Sequence, residues 1–200
     1  MNNICANDHI RKLLNSRTFQ KKEIGLYILL HGENKNKYLD EIISCSQCSD
    51  NKVRLVAIMV LSSINSKKIV PLLEKSLSDK LWKIRAIAAI SLAKYKNDKA
   101  IPVLKTIIQN DIPDHSIHKR AIEALGKYKK DELLSIFEKM LSHRRKASKI
   151  KAIDAIRKIG SHDAFQLLVS AEEKETDGNI LSRIRSAIQS FDQRSPDKNN

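Results

Sequence analysis

Glycine is scarce in this chain: there are five in 200 residues, at 25, 32, 126, 160 and 178, no two closer than seven positions. A Walker phosphate loop needs two glycines about five apart, and a dinucleotide-binding turn needs three within about six residues, so both are excluded. Cysteine is nearly as rare, and Cys5, Cys45 and Cys48 form an odd, sparse set. That rules out the disulfide framework of a secreted miniprotein and predicts reduced thiols. Long apolar runs are also missing. Residues 24–30 and 55–61 are the longest, at seven residues each, against roughly 20 for a bilayer span. The first twenty residues lack a continuous apolar segment and a small-residue cleavage site, so no secretory signal is expected and cytoplasmic residence is the expectation.

What remains is 42% hydrophobic and 30% charged, a balance that predicts a folded domain with a real core. Lys and Arg number 37 against 23 Asp and Glu, giving a net charge of +14. Such an excess favours anionic partners without identifying one. Aromatics, at 4%, are too few to support base stacking as a recognition mode.

The sequence repeats itself. Val53-Arg54-Leu55-Val56-Ala57, Ile84-Arg85-Ala86-Ile87-Ala88, Lys119-Arg120-Ala121-Ile122-Glu123-Ala124-Leu125-Gly126, Ile150-Lys151-Ala152-Ile153-Asp154-Ala155 and Ile184-Arg185-Ser186-Ala187 stack on one another. Their basic residues are separated by 31, 35, 31 and 34 positions, and one further step back reaches Glu23 in a degenerate first copy. Apolar residues at three- and four-residue steps make each phrase a helix A. A second apolar segment follows, and Pro71 and Pro102 open it in the first turn of a helix B, where a missing N–H costs nothing. Asp131 and Asp163 favour later helix starts through the macrodipole. Gly126 and Gly160 are expected to stop A helices in the left-handed conformation. No segment shows the period-two alternation of a sheet.

The basic-Ala-Ile-x-Ala-Leu-Gly helix A, the acidic residue shortly before it (Asp50, Asp79, Asp114) and the Pro-x-Leu helix B resemble HEAT-repeat proteins, of the subtype found in phycobilisome-lyase-like proteins. The resemblance implies an all-α fold, a right-handed α-solenoid of five to six HEAT helical hairpins forming an armadillo-like superhelix over residues 22–190. A helical cap over 1–21 and a disordered tail over 191–200 complete the expected organisation. It also implies an inter-repeat ladder of Asp50, Arg54, Asp79, Arg85, Asp114 and Arg120, in which each Arg bonds carboxylates or helix ends of adjoining units. Arg suits that task through its fork of donors.

Other residues have plain readings. Cys45-x-x-Cys48 with Cys5 and His9 has the composition of a zinc site but lacks two clear ligand pairs, so thiols at a helix end are expected and no metal. His115, His118, His143 and His162 have no HExxH motif and are read as solvated histidines at helix ends. Trp82 is read as a wedge between repeats. Residues 119–158 carry 13 Lys or Arg against five Asp or Glu, with Arg144, Arg145, Lys146, Lys149 and Lys151 concentrated at one helix entrance. Lys75, Lys105 and Lys139 recur along the B helices, which the resemblance places on the concave face.

The expected function is a non-catalytic scaffold or adaptor, without cofactor, monomeric and off the membrane. Its expected protein partner is acidic and meets Lys75, Lys105, Lys139, Arg144, Arg145, Lys146 and Lys149. The alternative is nucleic-acid backbone binding through a basic concave groove, with a distant similarity to alkylpurine glycosylases. A bilin-lyase-related role is a minor alternative that rests on the repeat subtype alone.

Overall fold

The computed structural model describes residues 2–110, 112 and 114–192, the side chains of 2–7 and 192 aside. Twelve α-helices and no strand occur among the described residues, in two compact units, Met1–Tyr95 and Lys96–Asn200. The first unit holds α1 (Asn2–Leu14), α2 (Phe19–His31), α3 (Leu39–Ser46), α4 (Asn51–Ser63), α5 (Val70–Ser76) and α6 (Trp82–Leu92). The second holds α7 (Ile101–Gln109), α8 (His115–Leu125), α9 (Leu134–Leu141), α10 (Lys146–Ile159), α11 (His162–Lys174) and α12 (Gly178–Asp192). Helix α2 begins before residue 22, and α12 runs past residue 190. Residues 193–200, where the tail was expected, lie outside the described residues.

Packing follows the expected two-helix repeat. Helix α4 lies between α2 and α6, α10 lies between α8 and α12, and α3, α5, α7, α9 and α11 each pack on the A helix that follows. Ala57, Ala86, Ala88 and Ala89 are fully buried, and their small side chains let the A helices approach closely. Leu26, Ile42, Leu61, Leu73, Ile84 and Leu92 fill the first core, with Leu104, Ile122, Phe137, Ile153 and Leu168 in the second. Each such aliphatic side chain contributes about 1.5–3 kcal/mol by leaving water. The apolar side chains Phe19, Ile24, Tyr27 and Ile28 on α2 are exposed.

Side chains satisfy the helix starts. Asp50 accepts from the Lys52 and Val53 N–H groups at 2.9 Å each, Asp114 from Ile117 N at 3.1 Å and Ser161 from Ala164 N at 3.2 Å. Pro71 and Pro102 sit in the first turns of α5 and α7, as their spacing predicts. A link not foreseen from the sequence ties successive repeats together. Tyr95 Oη donates to the Ser66 carbonyl oxygen (3.2 Å), and Tyr128 Oη donates to that of Asn97 (2.6 Å).

One glycine expectation holds and one fails. Gly160 is left-handed at φ 75° and stops α10. Gly126 is right-handed at φ −63°. It is needed for space, because a Cβ there would stand 2.7 Å from Ala155 Cβ. The left-handed residue after α8 is instead Lys129, at φ 53°, matched by Lys96 at φ 53° after α6.

Candidate interaction grooves and their charge pairs

Arg54, the fourth residue of α4, is held on every side. Its Nε and Nη2 donate to the two carboxylate oxygens of Asp79 at 3.0 and 3.1 Å, and Nη2 also donates to Asn51 Oδ1 at 2.8 Å. Its Nη1 donates to the carbonyl oxygens of Cys48 (3.0 Å) and Ser49 (2.9 Å). All its donor atoms are therefore spent on structure. Asp79 also accepts from Leu81 N at 2.8 Å. Burial pushes the Asp79 carboxyl up, but the bonds from Arg54 and Leu81 outweigh it and hold the group below the usual carboxylate value.

The other residues expected in a ladder have different roles. Asp50 and Asp114 cap α4 and α8. Arg85 Nη1 donates to the carbonyl oxygens of Asp79 and Lys80, at 2.7 and 3.0 Å. Arg120 is exposed and makes no ion pair among the described residues. The reason is register. Helices α4, α6, α8 and α10 start at 51, 82, 115 and 146, so the counterparts of Arg54 and Arg85 are His118 and Lys149, two residues before Arg120 and Lys151. Helix α7, with nine residues against seven in α5, carries the two extra residues.

His118 corrects the solvated reading of the histidines, since it is fully buried. Its Nε2 donates to the Ile108 carbonyl oxygen at 3.1 Å, its Nδ1 lies 3.3 Å from Ser148 Oγ, and its ring stacks on half-buried His143 at 5.3 Å. The polar bonds explain how an imidazole sits in a core, and the missed signal was the 33-residue step from Arg85 to 118, shared by Tyr95 and Tyr128.

Lys149 takes up the role of Arg54. Its Nζ donates to Glu175 at 2.6 Å, which with backbone N–H donors holds the Glu175 carboxyl below its usual value. Lys146 pairs with Asp177 at 2.5 Å. A second set of pairs runs to the preceding A helix, Lys151 to Glu123 (3.4 Å) and Arg183 to Asp154 (2.7 Å). The expected basic patch is thus largely occupied within the molecule, and Arg144 and Arg145 are not free either. By contrast Lys75 and Lys139 are exposed, Lys105 is half-buried, and none of the three makes an ion pair among the described residues. Lys75 and Lys139 hold equivalent positions on α5 and α9, whereas Lys105 lies one residue earlier in register, where those helices carry Glu74 and Glu138.

Each unit contains a groove at its charge pair. In the first unit, Arg54, Asp79, Leu72, Lys75 and Lys80 line a cavity of about 810 Å³, with Cys48 at its wall. In the second, Lys149, Glu175, Leu167, Ser170 and Thr176 line one of about 280 Å³, joined by Glu138 and Lys174. Arg54, Leu72 and Lys75 step by 95 residues to Lys149, Leu167 and Ser170, and Asp79 and Lys80 step by 96 to Glu175 and Thr176, each pair three and two residues before the next A helix, so one architectural feature recurs with different chemistry.

The remaining candidates have structural surroundings. Cys45 is buried, its Sγ lies 3.8 Å from the Leu14 carbonyl oxygen, and burial pushes its thiol above the ordinary value. Cys48 is half-buried, and the Cys5 side chain lies outside the described residues. No cluster of three metal-ligating side chains occurs among the described residues. Trp82 is half-buried at the start of α6, with Lys83 Nζ 5.8 Å from its ring centroid. No helix among the described residues is long and apolar enough to cross a membrane.

Comparison with known proteins gives a consistent fold. Residues 39–115 and 111–189 match the model of the HEAT-repeat family. None of the curated proteins matches the chain. Computationally designed armadillo repeat proteins for modular peptide recognition are similar at 18% identity and TM-score 0.65, over 91% of this chain and 98% of theirs. The CpcE–CpcF complex of phycocyanin lyase from Nostoc sp. PCC7120 is similar at 18% identity and TM-score 0.60, over 91% of this chain and 75% of that one. The Escherichia coli protein YibA is similar at 17% identity and TM-score 0.58, over 92% of this chain and 82% of that one. At such identities the likeness is one of fold, that of an armadillo or HEAT solenoid.

Proposed function

Because the chain belongs to the HEAT-repeat family, we propose that it is a non-catalytic scaffold that binds a protein partner through an acidic segment. The observation that carries this reading is the state of its cations. Lys75, Lys105 and Lys139 make no ion pair among the described residues, while Lys146, Lys149, Lys151, Arg54 and Arg183 are spent on internal carboxylates. With a net charge of +14, the chain attracts anionic segments and resists cationic ones. A designed armadillo repeat protein of similar fold was solved in complex with the basic peptide (KR)4, which supports reading this fold as a holder of charged peptides.

The test uses the full chain and fluorescein-labelled octaglutamate, with octalysine as control, read by anisotropy at low and physiological salt. Octaglutamate is expected to bind and octalysine not, with affinity falling as salt screens the contact. Equal binding of both peptides, or of neither, overturns the reading. Binding of duplex DNA without binding of octaglutamate replaces it with the nucleic-acid alternative.

A further inference from the structure

We propose that the groove of the first unit is the docking site for the acidic segment, with Lys75 and Lys80 receiving two of its side-chain carboxylates. The inference rests on the scaffold reading and adds to it a location and a ligand set. The two grooves share their framework. Arg54 corresponds to Lys149, Asp79 to Glu175 and Leu72 to Leu167, so the wall and the charge pair are common to both. The difference lies in what surrounds the pair. Where the first groove has Lys75 and Lys80, the second has Ser170 and Thr176, and it adds one acid and one base in Glu138 and Lys174. The charged side chains lining the first groove therefore sum to +2, those lining the second to zero.

The charge of the first groove is available to a ligand. Arg54 has spent its donors on Asp79, Asn51 and two carbonyl oxygens, and Asp79 is neutralised in return. Lys75 and Lys80 are exposed and make no ion pair among the described residues. Two ammonium groups without internal counter-ions lose little when a carboxylate displaces water, because no existing ion pair has to be broken. Size separates the grooves as well. About 810 Å³ falls within the range of roughly 300–1,000 Å³ typical of ligand sites, and about 280 Å³ falls short of it.

A peptide fits this pattern better than a polynucleotide. A phosphate backbone repeats its charge, so it calls for a cation at each equivalent position of the B helices. The residues in register with Lys75 are Thr106, Lys139 and Ser170, which breaks that series. No aromatic side chain lines the groove for base stacking. A short acidic segment needs only one place with two neighbouring cations.

Three forms of the full chain decide the matter: wild type, a K75E/K80E variant and, as a charge-matched control at two exposed lysines that do not line the groove, a K67E/K68E variant, each checked for native helix content by circular dichroism. Octaglutamate affinity is expected to fall about tenfold or more in K75E/K80E and to stay within about twofold in K67E/K68E. Alkylation of Cys48, resolved by mass spectrometry, is expected to slow when octaglutamate is bound to wild type and to be unaffected in K75E/K80E. If octaglutamate binds K75E/K80E as tightly as wild type, the groove assignment is overturned and the general scaffold reading stands. If octaglutamate binds none of the three, the scaffold reading falls and the groove with it. Duplex DNA that binds wild type and protects Cys48 where octaglutamate does neither also overturns the proposal, in favour of a phosphate ligand.

Discussion

Arg54 and His118 hold the same position of their helices and satisfy it by different chemistry. Arg54 reaches out to a carboxylate of the next repeat, while His118 turns into the core and bonds a carbonyl and a serine. The Arg54–Asp79 pair is the more exposed to loss, since both side chains are largely covered and Asp79 also holds Leu81 N. Asp79→Ala is expected to cost about 1–3 kcal/mol in chemical denaturation, more than the roughly 1 kcal/mol for removing the Asp50 cap. Gly126→Ala brings a Cβ to 2.7 Å from Ala155, so about 1–3 kcal/mol should be lost to overpacking. Gly178→Ala meets nothing within 4 Å and serves as the neutral control in the same experiment. Tyr128 supplies a pH signature. Burial, then the nearby Asp98, pushes its phenol up to about 12. A group with a raised folded pKa contributes stability below its unfolded value of about 10, lost as pH climbs toward 12. A spectrophotometric titration should show one tyrosine ionising late, and Tyr128→Phe should remove that step.

Helix ends show how much of each element was legible in advance. Pro71 and Pro102, the Asp50 and Asp114 positions and Gly160 all lie where local chemistry puts them, because capping and the φ of proline are decided within a few residues. Gly126 departs from its expected role for the opposite reason: its role depends on Ala155, a neighbour 29 positions away that no local rule reveals. Lys96 and Lys129 bear the left-handed conformation that a glycine would adopt without strain. Lys129→Gly is accordingly expected to raise stability, by up to about 1 kcal/mol, and Gly160→Ala to lower it by a similar amount, both read from denaturant midpoints. The tyrosine links from Tyr95 and Tyr128 are not legible in the sequence, because a hydroxyl reaching a backbone carbonyl one repeat away leaves no composition signal.

Across the molecule, charge is divided between cohesion and display. Glu175, held below its usual value by Lys149, and Asp177, held down by Lys146, join Asp79 as carboxylates whose folded pKa is depressed. Their contribution is present above the unfolded value near 4 and is lost as pH falls through the folded values, so melting temperature should hold steady above about pH 5 and decline below about pH 4. Lys149→Ala should shrink that decline by releasing Glu175.

The repeat period, the helical class, the caps and the excess of positive charge were written in the order of residues, since each follows from spacing or from chemistry between near neighbours. Register in the third and fourth repeats, the burial of His118 and the sorting of lysines into paired and unpaired could be read only from the folded chain. Two additional residues in α7 move every later position, and a pair such as Lys149–Glu175 exists only because packing brings groups 26 positions apart to 2.6 Å of each other.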